Sequence, residues 1–319
     1  MKDLVARVQA MLAEHLGLPE GYEIALGVGG STAFWDVATF SLVQRRATHG
    51  VFGEFGNSFY KETHSAPFLK RSIAVTAEPG SCAVPEGTEK GDVFAWPQNE
   101  TSTGVIAPVT RITDDALIVI DATSAAGGVE VDLSQTDVYY FAPQKCFASD
   151  GGLWFAVLSP AAVARAEEIA AERWIPNFLS LTTAITNSRA HQTLNTPAIA
   201  TLELMAAQLE FLLELGGLGA AATRSRESSG HIYEWAEARS FARPFVQDPA
   251  HRSPVVATID IEGIDVDPLK AVLRENGIVD VDAYRKLGRN QLRIATFPAV
   301  DPEDVRALTA SIDYVIERL

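Results

Sequence analysis

At 319 residues, with 47% hydrophobic side chains, the chain is long enough to bury one large core and a smaller one. Its 41 acidic and 26 basic side chains give a formal net charge of −15, which argues against a nucleic-acid footprint and against anionic membrane surfaces. Two cysteines, Cys82 and Cys146, form neither a disulfide framework nor a metal-binding pattern. The six histidines show no ligand spacing, so no metal is expected and a reducing, cytoplasmic setting fits.

In chain order, Leu4, Val5, Val8, Met11, Leu12 and Leu16 recur at helical spacing and stop at Gly17. A strand over 24–28, the turn Gly29-Gly30-Ser31-Thr32 and a helix over 33–44 follow. Strands are predicted at 93–96, 117–120, 138–141 and 153–158, separated by turns and shorter helices. This alternation predicts an α/β fold whose mostly parallel sheet is covered on both faces. A long helix begins after Thr196-Pro197 and runs to Gly216-Gly217. The remainder reads helix (220–237), strand (255–261), helix (268–276), strand (291–295) and helix (302–319). Asp267-Pro268 and Asp301-Pro302 read as helix starts. The expected division is a large domain over 1–213 and a small α/β sandwich over 214–319.

Two residues carry most of the chemistry. Lys145 lies in Ala142-Pro143-Gln144-Lys145-Cys146, directly after the apolar run Val138-Tyr139-Tyr140-Phe141, and Asp121 ends the run Leu117-Ile118-Val119-Ile120. A lysine past one strand and an aspartate at the tip of another match the two attachments of pyridoxal phosphate: a Schiff base to its aldehyde and an anion beside its ring nitrogen. Separately, a lysine after a strand is usually a surface residue and an aspartate before Thr123 and Ser124 a turn cap; together they point to an enzyme. Gly29-Gly30-Ser31-Thr32 offers backbone N–H groups and hydroxyls at a helix start, a cup for a phosphate, although it is neither a dinucleotide fingerprint nor a Walker loop. Asn99-Glu100-Thr101-Ser102-Thr103-Gly104 carries short polar groups able to meet a ring hydroxyl. Arg293 interrupts an apolar strand, where a guanidinium could grip a carboxylate.

These stretches, with Asn195-Thr196-Pro197 and Tyr284-Arg285-Lys286-Leu287-Gly288-Arg289-Asn290-Gln291-Leu292-Arg293, resemble the phosphoserine aminotransferases of actinobacterial type, within the fold-type I pyridoxal-phosphate enzymes. The likeness runs from about Tyr22 to the C-terminus. It implies a three-layer αβα large domain with a mixed, mainly parallel sheet, and a small C-terminal sandwich domain. It implies that Lys145 binds the cofactor aldehyde and moves the substrate proton, while Asp121 holds the ring nitrogen. Thr101 would meet the ring hydroxyl; Gln144, Ser31 and Thr32 would hold the phosphate, with Asn195 and Thr196 reaching it from the other subunit of a homodimer. Phe55 falls where relatives stack an aromatic ring, Arg293 matches the substrate-carboxylate arginine, and Arg285 falls near the family's substrate-phosphate residues. The implied substrates are glutamate and 3-phosphohydroxypyruvate, in serine biosynthesis. Members ordinarily carry several dozen residues ahead of the first helix, with a Gly-Pro turn and a Ser-His-Arg segment for substrate; neither stretch is present. Three alternatives stay open: an alanine:glyoxylate transaminase, a cysteine desulfurase using Cys82, and a shortened homologue that binds the cofactor without turnover.

Overall fold

In the computed structural model, which describes residues 1–319, helix α1 (Lys2–Leu16) buries Leu4, Val5, Val8, Leu12 and Leu16 and ends at Gly17, whose φ of 62° suits glycine. Then follow β1 (Glu23–Val28), α2 (Gly30–Ser41), β2 (Ala47–Val51), α3 (Glu54–Ser65), β3 (Ile73–Thr76), β4 (Val93–Pro97), β5 (Asn99–Glu100), β6 (Val105–Ile106), β7 (Leu117–Asp121), β8 (Val138–Phe141), β9 (Leu153–Leu158), α4 (Pro160–Glu172), α5 (Leu181–Arg189), α6 (Ile199–Leu215) and α7 (Gly217–Glu237). The C-terminal part holds β10 (Ala242–Pro244), β11 (Val256–Ile261), α8 (Val266–Glu275), β12 (Gln291–Ala295) and α9 (Pro302–Ile316).

Seven strands form one sheet in the order β1-β9-β8-β7-β4-β2-β3. Only β9 runs against its neighbours, pairing antiparallel with both β8 and β1. The reason is length: loop 142–152 is too short for the crossover that a parallel return requires. The apolar runs read in the sequence are buried on both faces, and alternate residues serve two cores. Phe94, Trp96, Ile118, Ile120, Tyr139 and Phe141 pack with α1 and α6, whereas Val93, Ala95, Leu117, Val119, Val138 and Tyr140 pack with α2, α4 and α5. A third core, from Ile232 to Ile312, surrounds the antiparallel sheet β10-β11-β12.

Four elements differ from the sequence reading. Helix α2 starts at Gly30, so Ser31 and Thr32 lie in its first turn, because Gly29 with φ 107° already reverses the chain. Helix α8 is capped by Asp265, whose carboxylate accepts the Asp267 N–H at 3.0 Å, instead of starting at Asp267. The strand β2 and helix α3 have no apolar signature: β2 is Ala-Thr-His-Gly-Val, with His49 buried and bound to Thr63 Oγ1 at 2.7 Å.

Candidate active site

The carboxyl ends of β1, β4, β7 and β8 lie along one edge of the sheet, and the loops leaving them enclose a cavity of ≈ 280 Å³. It is lined by Gly29, Gly30, Ser31 and Thr32 after β1, Asn99 and Thr101 after β4, Asp121 and Thr123 at β7, and Gln144 and Lys145 after β8, with Trp35 and Phe55. Lys145 and Asp121 therefore face the same space.

Asp121 is nearly enclosed, at 7% exposure. Its Oδ1 accepts the Thr123 N–H at 2.9 Å and the Thr123 hydroxyl at 2.5 Å, and that hydroxyl oxygen sits 2.7 Å from Ser31 Oγ, tying the carboxylate to the α2 start. Burial nevertheless pushes this carboxyl above its ordinary range, the Thr123 bonds only opposing it, so a cation beside it would be strongly favoured. Lys145 is shifted the other way: burial first, and the Arg293 charge second, favour its neutral amine. The backbone around it is fixed by a tight turn in which Ala148 N–H meets Lys145 C=O at 2.9 Å and Ala148 takes a positive φ of 43°.

At the cup, no side chain caps the N-terminus of α2, so the amides beside Ser31 and Thr32 are available to an anion. A Cβ at Gly29 would lie 2.5 Å from Ala33 Cβ, which together with its φ restricts the position to glycine. The Thr101 hydroxyl donates to Ser124 Oγ at 2.7 Å, as does Asn99 Nδ2 at 2.9 Å, while Asn99 Oδ1 is buried without a partner. An uncapped helix start, an enclosed carboxylate, an amine that burial shifts toward its neutral form and an orphaned acceptor fit pyridoxal phosphate, a dianion joined to a cationic ring, an aldehyde and a hydroxyl.

The remaining residues fall into two groups. Arg293, on β12, reaches the site edge: its Nη1 donates to Thr101 C=O at 3.3 Å and its guanidinium lies 5.6 Å from the Tyr284 ring, which meets the Phe55 ring at 5.8 Å. Asn195 and Thr196 are exposed and outside the cavity, and so is Arg285. Sequence reasoning missed the role of Glu100, which is fully buried and accepts the Phe55 N–H at 3.1 Å, the Gly56 N–H at 3.0 Å and the Ser102 hydroxyl at 2.6 Å. It fastens the start of α3, and so Phe55, to the loop that carries Thr101. A Cβ at Gly53 would collide with it, so the Gly53-Glu54-Phe55-Gly56 stretch was the available clue. Cys82 lies outside the cavity with its thiol pushed up to about 11 by burial, which disfavours a nucleophilic role.

The profile of the family Aminotransferase class-V matches residues 86–282. A phosphoserine aminotransferase of a Nocardioides species is 55% identical over 325 residues, a match covering 100% of this chain and 87% of the relative. Among solved structures, a phosphoserine aminotransferase from Cytophaga hutchinsonii has a TM-score of 0.91 at 22% identity, covering 98% of this chain and 88% of that one. An alanine–glyoxylate aminotransferase from a Nostoc species reaches a TM-score of 0.83 at 18% identity, covering 99% and 87%. The structural likenesses establish the fold-type I architecture and do not separate one transaminase from another; the sequence relatives do. The chain belongs to the class-V aminotransferases and, within them, to the phosphoserine aminotransferase family.

Proposed function

We propose that the protein transfers an amino group reversibly from glutamate to 3-phosphohydroxypyruvate, giving O-phospho-L-serine and 2-oxoglutarate in L-serine biosynthesis. The observation that carries this reading is one cavity containing a lysine driven toward its neutral form and a buried carboxylate in need of a cation. It is joined by 55% identity to a phosphoserine aminotransferase over the full chain.

Pyridoxal phosphate, when bound, supplies an electron-withdrawing ring that makes the substrate α-proton labile. Asp121 holds the ring nitrogen as an anion, which its burial permits only beside positive charge. Ser31, Thr32 and Gln144, with the α2 amides, would hold the phosphate, Thr101 would meet the ring hydroxyl, and Phe55, on the cavity wall, would supply an apolar face to the ring. Lys145 Nζ, neutral for part of the cycle, takes the α-proton and returns it on the other side of the reaction. Arg293 pairs with the substrate carboxylate, since its guanidinium sits at the cavity edge with a single hydrogen bond to the chain.

Residues 1–213 form the cofactor-binding domain in this reading and 214–319 the small domain; α7, inside the second range, lends residues to both cores, Ala221 to the large one and Ile232 to the small one. The enzyme acts as a homodimer in which Asn195 and Thr196 reach the partner's phosphate cup. Supporting this, both are exposed and the nearby Phe178 and Leu194 are 50% and 47% exposed. A cytoplasmic location agrees with two free thiols, and no single helix is long and apolar enough to cross a membrane. The test is purified protein with glutamate and 3-phosphohydroxypyruvate: 2-oxoglutarate must appear with phosphoserine. Preference for alanine with glyoxylate, or no amino transfer, overturns the assignment.

A further inference from the structure

Behind Asp121 stand two side chains with no part in the proton transfer, Tyr140 and Trp35. Tyr140, on β8, is the register partner of Asp121 on β7, so the two side chains leave the same face of the sheet. That face is covered by α2, which carries Trp35. The Trp35 indole N–H donates to the Tyr140 oxygen at 2.9 Å. Tyr140 itself is fully buried, stacked on Phe34 at 4.5 Å and edge-on to Phe59 at 6.1 Å, so its ring is locked in place outside the cavity.

An indole N–H only donates, so Tyr140 must send its own proton elsewhere. Phe34 and Phe59 offer it no acceptor; the Asp121 carboxylate does. Burial, and then the charge and hydrogen bond of Asp121, push the phenol well above its ordinary range, which keeps it a neutral donor. The acid, which burial raises, is drawn back by Thr123 first and by Tyr140 and Trp35 after it.

Thr123 gives both of its bonds to Oδ1 and is tied to Ser31, in the first turn of α2. Trp35 lies one turn further along that helix. Two polar routes therefore run from α2 to one carboxylate, through Ser31 and Thr123 and through Trp35 and Tyr140. We infer that Tyr140, held by Trp35, is a positioning residue that aims the Asp121 carboxylate at the cofactor ring nitrogen and favours its ionised form. The inference rests on the reading that Asp121 meets this nitrogen, and deepens it by naming the residues on which the contact depends. A donor polarised by a second donor favours an anion over a neutral acid. Loss of the Tyr140 hydroxyl should accordingly be felt by a ligand that places positive charge at Asp121 and by no other.

The experiment is equilibrium dialysis of the cofactor-free protein with two probes, pyridoxal phosphate and its deaza analogue, in which carbon replaces the ring nitrogen. Tyr140→Phe should weaken pyridoxal phosphate roughly 10-fold and the analogue less than roughly 2-fold. Trp35→Phe should show the same selectivity at roughly 3-fold, because it removes only the donor that holds Tyr140. Equal losses for both probes would make Tyr140 a packing residue and overturn the inference, as would unchanged affinity for both. Urea midpoints of the cofactor-free variants show whether they fold, and if Tyr140→Phe does not, the ratio of affinities in Trp35→Phe decides. Wild type that binds both probes alike removes the Asp121 contact itself, and with it the reading beneath the inference. Wild type that prefers pyridoxal phosphate, while Tyr140→Phe loses both equally, removes the role of Tyr140 alone.

Discussion

Two buried carboxylates stand at the carboxyl ends of neighbouring strands, Glu100 shortly after β4 and Asp121 as the last residue of β7, and their surroundings differ in kind. Glu100 is satisfied by the chain itself, through the amides of Phe55, Gly56 and Ser102 and the Ser102 hydroxyl. Asp121 accepts the Thr123 amide and hydroxyl at Oδ1 and lines the cavity, with the Tyr140 and Trp35 donors acting on it more weakly. Burial raises the carboxyl of both. The two acids thus differ in their setting: amides from α3 and from Ser102 converge on Glu100, whereas Asp121 lines the cavity that Lys145 also lines, where a cation beside it would be favoured.

Substitutions sharpen or break this contrast. The largest effect is expected at Lys145, whose amine serves the space that Asp121 faces: Lys145→Ala should lower amino transfer by about 10⁴-fold, the upper end for a proton-transfer group, and remove the visible absorbance of the bound cofactor. Near-normal rates in that variant would remove the base from the scheme. Next, Asp121→Asn should cost about 10²–10³-fold in rate, as for loss of an oriented charge, with little change in the denaturation midpoint of the cofactor-free protein. Glu100→Gln should show the reverse pattern, losing about 1–3 kcal/mol of stability in urea because an amide N–H₂ now meets donors, while the rate falls far less than in Asp121→Asn. If Glu100→Gln destroyed turnover without changing stability, the two roles would be exchanged.

The smallest expected effect is one of pH. Without cofactor, the native Asp121 carboxyl keeps its proton to higher pH than the unfolded chain, whose ordinary value is 3.8. Its stabilisation is full below that value and is lost as pH rises through the raised native one. Cofactor-free wild type should therefore weaken relative to Asp121→Asn as pH rises above about 4. A constant difference between the two over that rise would show that Asp121 is not penalised by burial.

The primary structure disclosed Lys145, Asp121 and the Gly29–Thr32 cup because each follows a buried strand, and apolar runs mark where such strands end. The role of Glu100 was hidden, since its donors come from Phe55 and Gly56 on α3, a helix with no apolar signature after a strand with none. Arg285 and Lys286 are adjacent and both exposed, and only Lys286 is ion-paired, with Glu54, 232 residues away along the chain, a contact that no local pattern announces. Asn195 and Thr196 lie beyond the reach of any single-chain description, because the cavity they are proposed to serve is on another subunit. The domain division was drawn at a helix end, yet α7 lends residues to two cores, which no local pattern announces.

Reversal of β9 limits how the enzyme can move. Loop 142–152 is moored at both ends by strands in the middle of the sheet, β8 and β9, every residue of which is buried. With so little slack, the backbone at Lys145 stays still, and the reach of its amine across the cavity comes from its own four-carbon stem. Freedom of the backbone lies elsewhere, in exposed stretches such as residues 285 and 286, which meet solvent.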